Sequence, residues 1–320
     1  MDLNGIIPII PTPFDRDEQI DAQALRQLLD FACNADVAAV CLPAYASEFY
    51  KLSTDERRQV IALAVEHVNG RVPVIAQANS NAVGQAIELA RFAEEIGASA
   101  ISVAVPRQFA VRDKDLFRYF DRILSSIGVP LVMQDFNPGG ATVTPAFLAD
   151  LHRAHPHFRW VKLEEPLMAT RVRAIHDATG GGVGVIEGWG GMYLLELVSA
   201  GISGCMPGLG PADLLSRIWR LARGGCREQA YSIFQGVLPQ IVYSLQSMEL
   251  YHHAEKRLLV ARGIIEASIV RDLRMDLAPQ DAEYIDFLNA KILALLDGLK
   301  MPRCPIPCGD DDVLASEAVS

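Results

Sequence analysis

The chain holds six lysines, and Lys162 is the one whose surroundings are wrong for a charge. It lies in Phe158-Arg159-Trp160-Val161-Lys162-Leu163, a run that reads as a strand whose alternation puts Phe158, Trp160 and Lys162 on one face. Holding an ammonium ion on a buried strand face is costly, and desolvation shifts it toward the neutral amine. A neutral amine attacks ketones. Lys51, Lys114, Lys256, Lys291 and Lys300 sit in segments that look polar or helical. The other reading of Lys162 is an ion pair with Glu164 or Glu165 at the strand's end, and spacing alone leaves both open.

Further candidate groups stand at other strand ends. Glu187 and Gly188 open the glycine-rich Gly188-Trp189-Gly190-Gly191, where Glu187 could bind hydroxyls of a ligand or form a salt bridge at the rim. Asp135 and Glu164 are carboxylates with the same choice between chemistry and internal hydrogen bonding. The histidines show no metal-ligand spacing. His252 and His253 are adjacent and point to different helix faces, while His152, His155 and His157 surround a helix end and look solvated. Without an accompanying carboxylate set, metal-dependent chemistry is disfavoured and no metal is expected.

These groups need a scaffold that aims strand ends at one place. Short apolar runs alternate with helical patterns. Strands are expected at Gly5–Ile10, Val37–Leu42, Val72–Ala78, Ala100–Val105, Pro130–Gln134, Phe158–Leu163, Gly184–Glu187 and Gly204–Met206. Helical patterns lie between them near 21–34, 54–68, 82–95, 113–127, 144–155, 166–179, 191–200 and 211–222. Ser53-Thr54-Asp55-Glu56 and Thr144-Pro145 are helix-start signals. The strands are apolar on both faces, as in a parallel sheet covered by helices. Eight such units predict an α/β fold of the (β/α)₈ (TIM) barrel type; an open doubly wound sheet leaves the eighth unit without a place. No GxGxxG or GxxxxGK[ST] opens a helix, which removes the usual nucleotide sites.

After the barrel, over residues 1–225, the alternation stops. Helical patterns near 227–248, 252–268 and 280–298 predict a three-helix extension of the same domain over 226–300, followed by a polar tail, 301–320. A 320-residue chain accommodates this as one unit. The net charge of −10 argues against nucleic acid as a partner, and no apolar run reaches membrane-spanning length. Cys33, Cys41, Cys205, Cys226, Cys304 and Cys308 form no CxxC pair and read as reduced thiols, consistent with a cytoplasmic protein.

Several segments carry a family resemblance. Gly5-Ile6-Ile7-Pro8-Ile9-Ile10-Pro11-Thr12-Pro13-Phe14 resembles the first strand of the dihydrodipicolinate synthase / N-acetylneuraminate lyase family. Leu42-Pro43-Ala44-Tyr45-Ala46-Ser47-Glu48-Phe49 resembles that family's G-[TS]-T-G-E segment, and Val161-Lys162-Leu163-Glu164 resembles the strand bearing its Schiff-base lysine. The similarity runs from about residue 5 to 300. It implies a barrel lyase in which Lys162 forms a Schiff base with a small 2-oxo acid, with no cofactor, in a homodimer or homotetramer.

The departures from the family pattern are specific. The relay tyrosine of the fifth strand is replaced by Gln134 without a gap, or by Phe136 if the alignment slides two residues; neither is a phenol. The arginine that follows is matched only by Gly139 or Gly140. Ala46 stands where the family has a relay threonine and Ser47 where it has glycine. Tyr45-x-Ser47-Glu48, Met133-Gln134-Asp135 and Lys162-x-Glu164-x-Pro166 together resemble the branch containing 2-keto-3-deoxy-L-arabinonate dehydratase. The expectation is a 2-keto-3-deoxy sugar acid dehydratase, with a pyruvate-dependent aldolase or a non-catalytic oxo-acid binder as alternatives. Lys162, Tyr45 and Gln134 are the expected catalytic groups; Gln134 cannot titrate and would orient a water or hydroxyl. Ala46 and Ser47, through backbone N–H groups and the Ser47 hydroxyl, would hold the substrate carboxylate, and Glu164, Glu187 and Gly188 complete the expected binding set. Glu48 matches a family glutamate of structural role.

Overall fold

The structure is a computed structural model that describes residues 1–107, 111–137, 142–165 and 167–304. Gly139, Gly140, Pro166, Cys308 and the tail beyond residue 304, all named above, lie outside the described residues.

Among the described residues, eight strands form one parallel sheet in the order β1-β8-β7-β6-β5-β4-β3-β2. They are β1 (Gly5–Ile6), β2 (Val40–Leu42), β3 (Val74–Gln77), β4 (Ala100–Ala104), β5 (Leu131–Phe136), β6 (Phe158–Glu164), β7 (Gly184–Glu187) and β8 (Gly204–Cys205). The sheet closes between β1 and β2: the N–H of Ala38 donates to Ile6 O, that of Cys41 to Pro8 O and that of Ile10 to Cys41 O. β1 is shorter than the sequence pattern because Pro8 and Pro11 have no N–H to donate to the ladder. The result is the TIM barrel expected from the strand–helix alternation.

Helices α1 (Ala22–Asn34), α2 (Thr54–Val68), α3 (Val83–Glu95), α4 (Asp113–Leu124), α5 (Pro145–Ala154), α6 (Met168–Thr179), α7 (Leu194–Ala200) and α8 (Ala212–Arg223) alternate with the strands. α9 (Arg227–Ser244), α10 (Met248–Ala261) and α11 (Pro279–Gly298) follow. The start signals act as read: Ser53 and Glu56 form a reciprocal capping box, and Thr144 accepts from the N–H of Phe147 with Pro145 in the first turn. Several boundaries differ: β5 runs on to Phe136, α7 starts at Leu194 rather than near 191, and α10 ends at Ala261 rather than near 268. The break between α9 and α10 falls at residues 245–247, earlier than the pattern suggested, because Ser247 caps α10 by accepting from the N–H of Leu250.

Strand alternation sorts side chains into two layers. Ile7, Ile9, Cys41, Ile75, Val132, Trp160, Ile186 and Met206 fill the barrel interior. Val103, Met133, Val161, Leu163, Val185 and Cys205 face outward and pack beneath the helices, Leu116, Phe120, Ile123 and Leu124 of α4 among them. Two inward positions must be glycine. A Cβ on Gly184 would lie 2.6 Å from Trp160 Cδ1, and one on Gly204 would lie 2.6 Å from Gly5 O. Gly184 lets Trp160 fill the floor on which Lys162 stands, and Gly204 lets β1 approach β8.

Candidate active site

Lys162 and Glu164 follow Trp160 on the inward face at the C-terminal end of β6, the end at which this architecture collects reactive groups. Lys162 Nζ lies 3.0 Å from Glu164 Oε1 and the lysine is only 6% exposed. It lines a cavity of roughly 380 Å³ together with Tyr45, Ala46, Gln134, Glu164 and Gly188. The two readings of Lys162 therefore coincide: it is paired with Glu164 and open to a cavity. Glu165 is turned elsewhere, 3.0 Å from Arg171.

Gln134 sits opposite Lys162 in the β5–β6 register and connects Glu164 to β3. Its Nε2 donates to Glu164 Oε1 at 2.9 Å, and its Oε1 accepts from Gln77 Nε2 at 2.7 Å. Gln77 in turn accepts a long contact of 3.7 Å from the Cys41 thiol. Both amides are buried, so each hydrogen bond fixes an orientation that solvent cannot scramble. Burial raises the affinity of Glu164 for a proton, against the opposing pull of Lys162 and of the Gln134 hydrogen bond. Burial likewise pushes the Cys41 thiol up to about 12, so it stays protonated.

Tyr45 and Ala46 come from the loop after β2, which forms a short 3₁₀ turn at Tyr45–Ser47. The Tyr45 ring packs edge-on against Phe49 at 4.9 Å and tilted against Phe136 at 5.4 Å. Burial, and then the negative charge of Glu164, raise the phenol above its ordinary range. Phe136, one inward step beyond Gln134, lines the same cavity, so either alignment of the missing tyrosine leads to an apolar or amide neighbour.

Two expected binding groups are corrected. The Ser47 side chain is fully buried; its Oγ donates to Ile10 O at 2.6 Å and accepts from the N–H of Ala44 at 3.0 Å. Its own N–H donates to Ala44 O and its carbonyl accepts from Thr12. Ser47 holds the turn closed and does not reach the cavity. Glu187 is also fully buried, on the outward face of β7, where it accepts from the N–H of Gly191 at 2.8 Å and the Cys205 thiol at 3.0 Å. Parity decides this: Ile186 and Gly188 point inward, so Glu187 cannot. Asp135 is its counterpart on β5, held outward by Arg107 and the N–H of Val143. Gly188 is at the cavity wall, and a Cβ there would meet Glu164 Cγ at 2.4 Å.

Burial alone does not single out Lys162. Lys256, in a helix as its segment suggested, is 1% exposed, and the Lys51 side chain is also buried. Both pair with Glu48, at 2.6 Å and 3.1 Å, beneath the loop and away from the cavity. His152, His155 and His157 are half-buried rather than solvated, bonded to Phe158 O, Asp121 and Leu124 O. Among the described residues no cluster of His, Cys, Asp and Glu could hold a metal, and no helix is long and apolar enough to cross a membrane. The described cysteines are all free.

Sequence reasoning missed Gln77, although a polar residue in the apolar run Val74–Gln77 was the same signal as Lys162. It also missed the far wall of the cavity, made by Leu245, Gln246, Ser247, Met248 and Tyr251 around the start of α10. No strand pattern points to those residues.

A family model described as the dihydrodipicolinate synthetase family matches residues 2–207. The chain belongs to this family. Family membership makes it a lyase. It is 27% identical over 279 residues to the L-2-keto-3-deoxyarabonate dehydratase of Azospirillum brasilense, covering 86% of this chain and 90% of that protein. It is 36% identical over 153 residues to the 4-hydroxy-tetrahydrodipicolinate synthase of Brucella suis, covering 47% of this chain and about half, 52%, of that enzyme's length. Among solved structures, YagE from Escherichia coli K12 in complex with pyruvate superposes with a TM-score of 0.81 at 23% identity, covering 93% of this chain and 99% of that one. At that identity the likeness shows the dihydrodipicolinate synthetase fold alone.

Proposed function

We propose that the chain is a Schiff-base lyase in which Lys162 condenses with the C2 carbonyl of a 2-keto-3-deoxy sugar acid, and that the reaction is dehydration. The observation that carries this is the pair Lys162–Glu164, 3.0 Å apart, at the wall of a cavity whose described lining holds no other lysine or arginine. The residues outside the description carry none either. One cation suits one reacting carbonyl and leaves no partner for a second carboxylate, which favours a neutral, hydroxylated distal end. The same substrate class is in the name of the Azospirillum relative.

An ammonium ion cannot add to a ketone, so the proton on Lys162 must leave first. Glu164 is within reach to take it, and its burial-raised proton affinity makes it a better acceptor than an ordinary carboxylate. The amine then adds to C2, water leaves, and the iminium becomes an electron sink for the C3–H bond. Glu164, oriented by Gln134, removes the C3 proton; the electrons form C3=C4 and the C4 hydroxyl departs as water. The first N–H groups of the 3₁₀ turn, including that of Ala46, lie before its first internal bond and are free to hold the substrate carboxylate. Tyr45 supplies a phenol beside Glu164 for the proton transfers of imine formation. The reading assigns no cofactor.

Incubation with pyruvate and borohydride tests the first step. Peptide mapping should find the reduced adduct on Lys162 and none in a Lys162→Arg variant. Absence of an adduct, or an adduct on Lys256 instead, refutes the reading and favours a binder of oxo acids. Turnover of a panel of 2-keto-3-deoxy acids then separates dehydration from aldol cleavage, which releases pyruvate.

A further inference from the structure

Two phenols reach the cavity, and they stand in different electrostatic surroundings. Tyr45 feels Glu164 beside the lysine. Tyr251, from α10, feels Glu255 one helical turn further on the same face. The cavity therefore has a second pole, built by β8 and α10 rather than by β5 and β6.

That pole is closely built. The loop after β8 passes under α10 with Gly208 and Gly210. Glu255 is buried and accepts from the N–H of Gly210 at 2.6 Å, and a hydrogen bond from the N–H of Leu209 also stabilises its carboxylate. A Cβ on Gly208 would lie 2.5 Å from Tyr251 Oη and 2.6 Å from Glu255 Oε2. The phenol and the carboxylate thus converge on one point, and only the missing side chain at residue 208 lets them. Tyr251 is 6% exposed and what remains open lines the cavity shared with Lys162. Burial and the nearby Glu255 push its phenol well above its ordinary range, so it keeps its proton.

We propose that Tyr251, seated by Gly208 and Glu255, is the general acid that protonates the departing hydroxyl of the substrate. The assignment rests on the lyase reading above. Once Lys162 has drawn the substrate into its enamine form, electrons from C2=C3 move into C3=C4 as the iminium re-forms. The C4–O bond breaks, and its electron pair takes the Tyr251 proton and leaves as water. The resulting phenolate recovers a proton from C5, which is acidified through the conjugated iminium, and Glu164 returns its own proton to C3. The enol ketonises, and water then hydrolyses the iminium to free Lys162, so that with the water released on Schiff-base formation the net change is loss of one molecule of water from the substrate. A phenol is a suitable donor here because hydroxide is far more basic than phenolate.

The experiment compares the wild type and Tyr251→Phe on a 2-keto-3-deoxy acid and on its 4-fluoro analogue, whose fluoride leaves with little acid assistance. Loss of the acid should lower kcat for the hydroxy acid by about 10²-fold or more. Fluoride release and borohydride trapping of pyruvate on Lys162 should stay within about twofold of the wild type, because neither step draws on the Tyr251 proton. Gly208→Ala, which retains both the phenol and Glu255 but pushes them from their seat, should show the same selectivity in milder form. Turnover of the hydroxy acid by Tyr251→Phe within a few-fold of the wild type overturns the assignment. So does an equal loss for both leaving groups, which marks a structural role. A wild-type protein that traps no pyruvate refutes the Schiff-base reading first and the assignment with it.

Discussion

At Glu164 three demands meet on one carboxylate. It pairs with Lys162, accepts from Gln134, and is buried enough that its proton affinity rises. A base with a raised affinity is ionised only above that raised value, so activity should fall as pH drops through it, at a higher pH than for a free carboxylate. Glu164→Gln keeps the size but cannot accept the proton. We expect kcat to drop by about 10²-fold and the acidic limb of the kcat profile to flatten, measured by turnover across pH 4 to 8 as a rough working span. Gly188→Ala should act on the same group sterically, since its methyl would lie 2.4 Å from Glu164 Cγ. Lys162 stood out in the sequence as a cation on an inward strand position, but spacing alone left an ion pair with Glu164 equally open, and the family resemblance supplied the preference for chemistry. Glu187 was misjudged because its carboxylate was weighed and its parity was not: the alternation through Ile186 and Gly188 sends it outward. Ser47 could not be judged at all from sequence, since its two hydrogen bonds reach back to Ile10 and Ala44 through the turn.

The loop that carries Tyr45 and Ala46 is held by elements far away in sequence. Glu48, with φ of 60°, sits in the left-handed region, a conformation that costs about 1 kcal/mol or more for a residue other than glycine. It is fixed there by Lys256 of α10, by Lys51, and by the N–H of Arg271. Arg271 continues the clamp to Glu56 of α2 at 2.7 Å. Burial holds the Lys256 ammonium down to about 8, offset in part by Glu48. Lys256→Met removes one partner and leaves Glu48 with the other two. Truncating a buried pair typically costs 3–5 kcal/mol, and the remaining contacts should reduce this to about 2–3 kcal/mol in denaturant unfolding. KM for the oxo acid should rise with it, because the turn bearing Ala46 loses its anchor. A loss of stability with an unchanged KM would separate the clamp from the site. The strands were legible because period-2 alternation and β-rich apolar runs leave few alternatives. The start of α10 was not, because the Ser247 cap interrupts an apolar pattern that is otherwise continuous with α9.

At the scale of the whole molecule the question is whether residues 226–300 are an ornament or part of the barrel's own domain. We propose the latter. Ala230, Ile233, Phe234 and Val237 of α9, Leu258 and Leu259 of α10, and Ile292 and Leu296 of α11 belong to the same buried cluster as Val161, Leu163 and Val185 of the barrel strands. Asp213 of α8 and Arg262, just past α10, form a buried bidentate pair at 2.6 Å and 2.8 Å, and Arg262 also donates to Gly210 O after β8. Removing the three helices would expose the outer face of α8 and leave Asp213 buried without its cation. It would also take away Tyr251, Glu255 and Lys256, hence one wall of the cavity and the anchor of the Tyr45 loop. Burial of the eight aliphatic and aromatic side chains named contributes on the order of 10 kcal/mol, at about 1.5–3 kcal/mol for each large one, comparable to the entire stability of a domain. A chain ending at Gly225 should therefore fail to give a cooperative thermal transition, while the full chain should unfold in one, with circular dichroism and the fluorescence of Trp160 and Trp219 changing together. A soluble truncated chain that melts cooperatively would show that the barrel is autonomous and that the helices were added to a fold already complete.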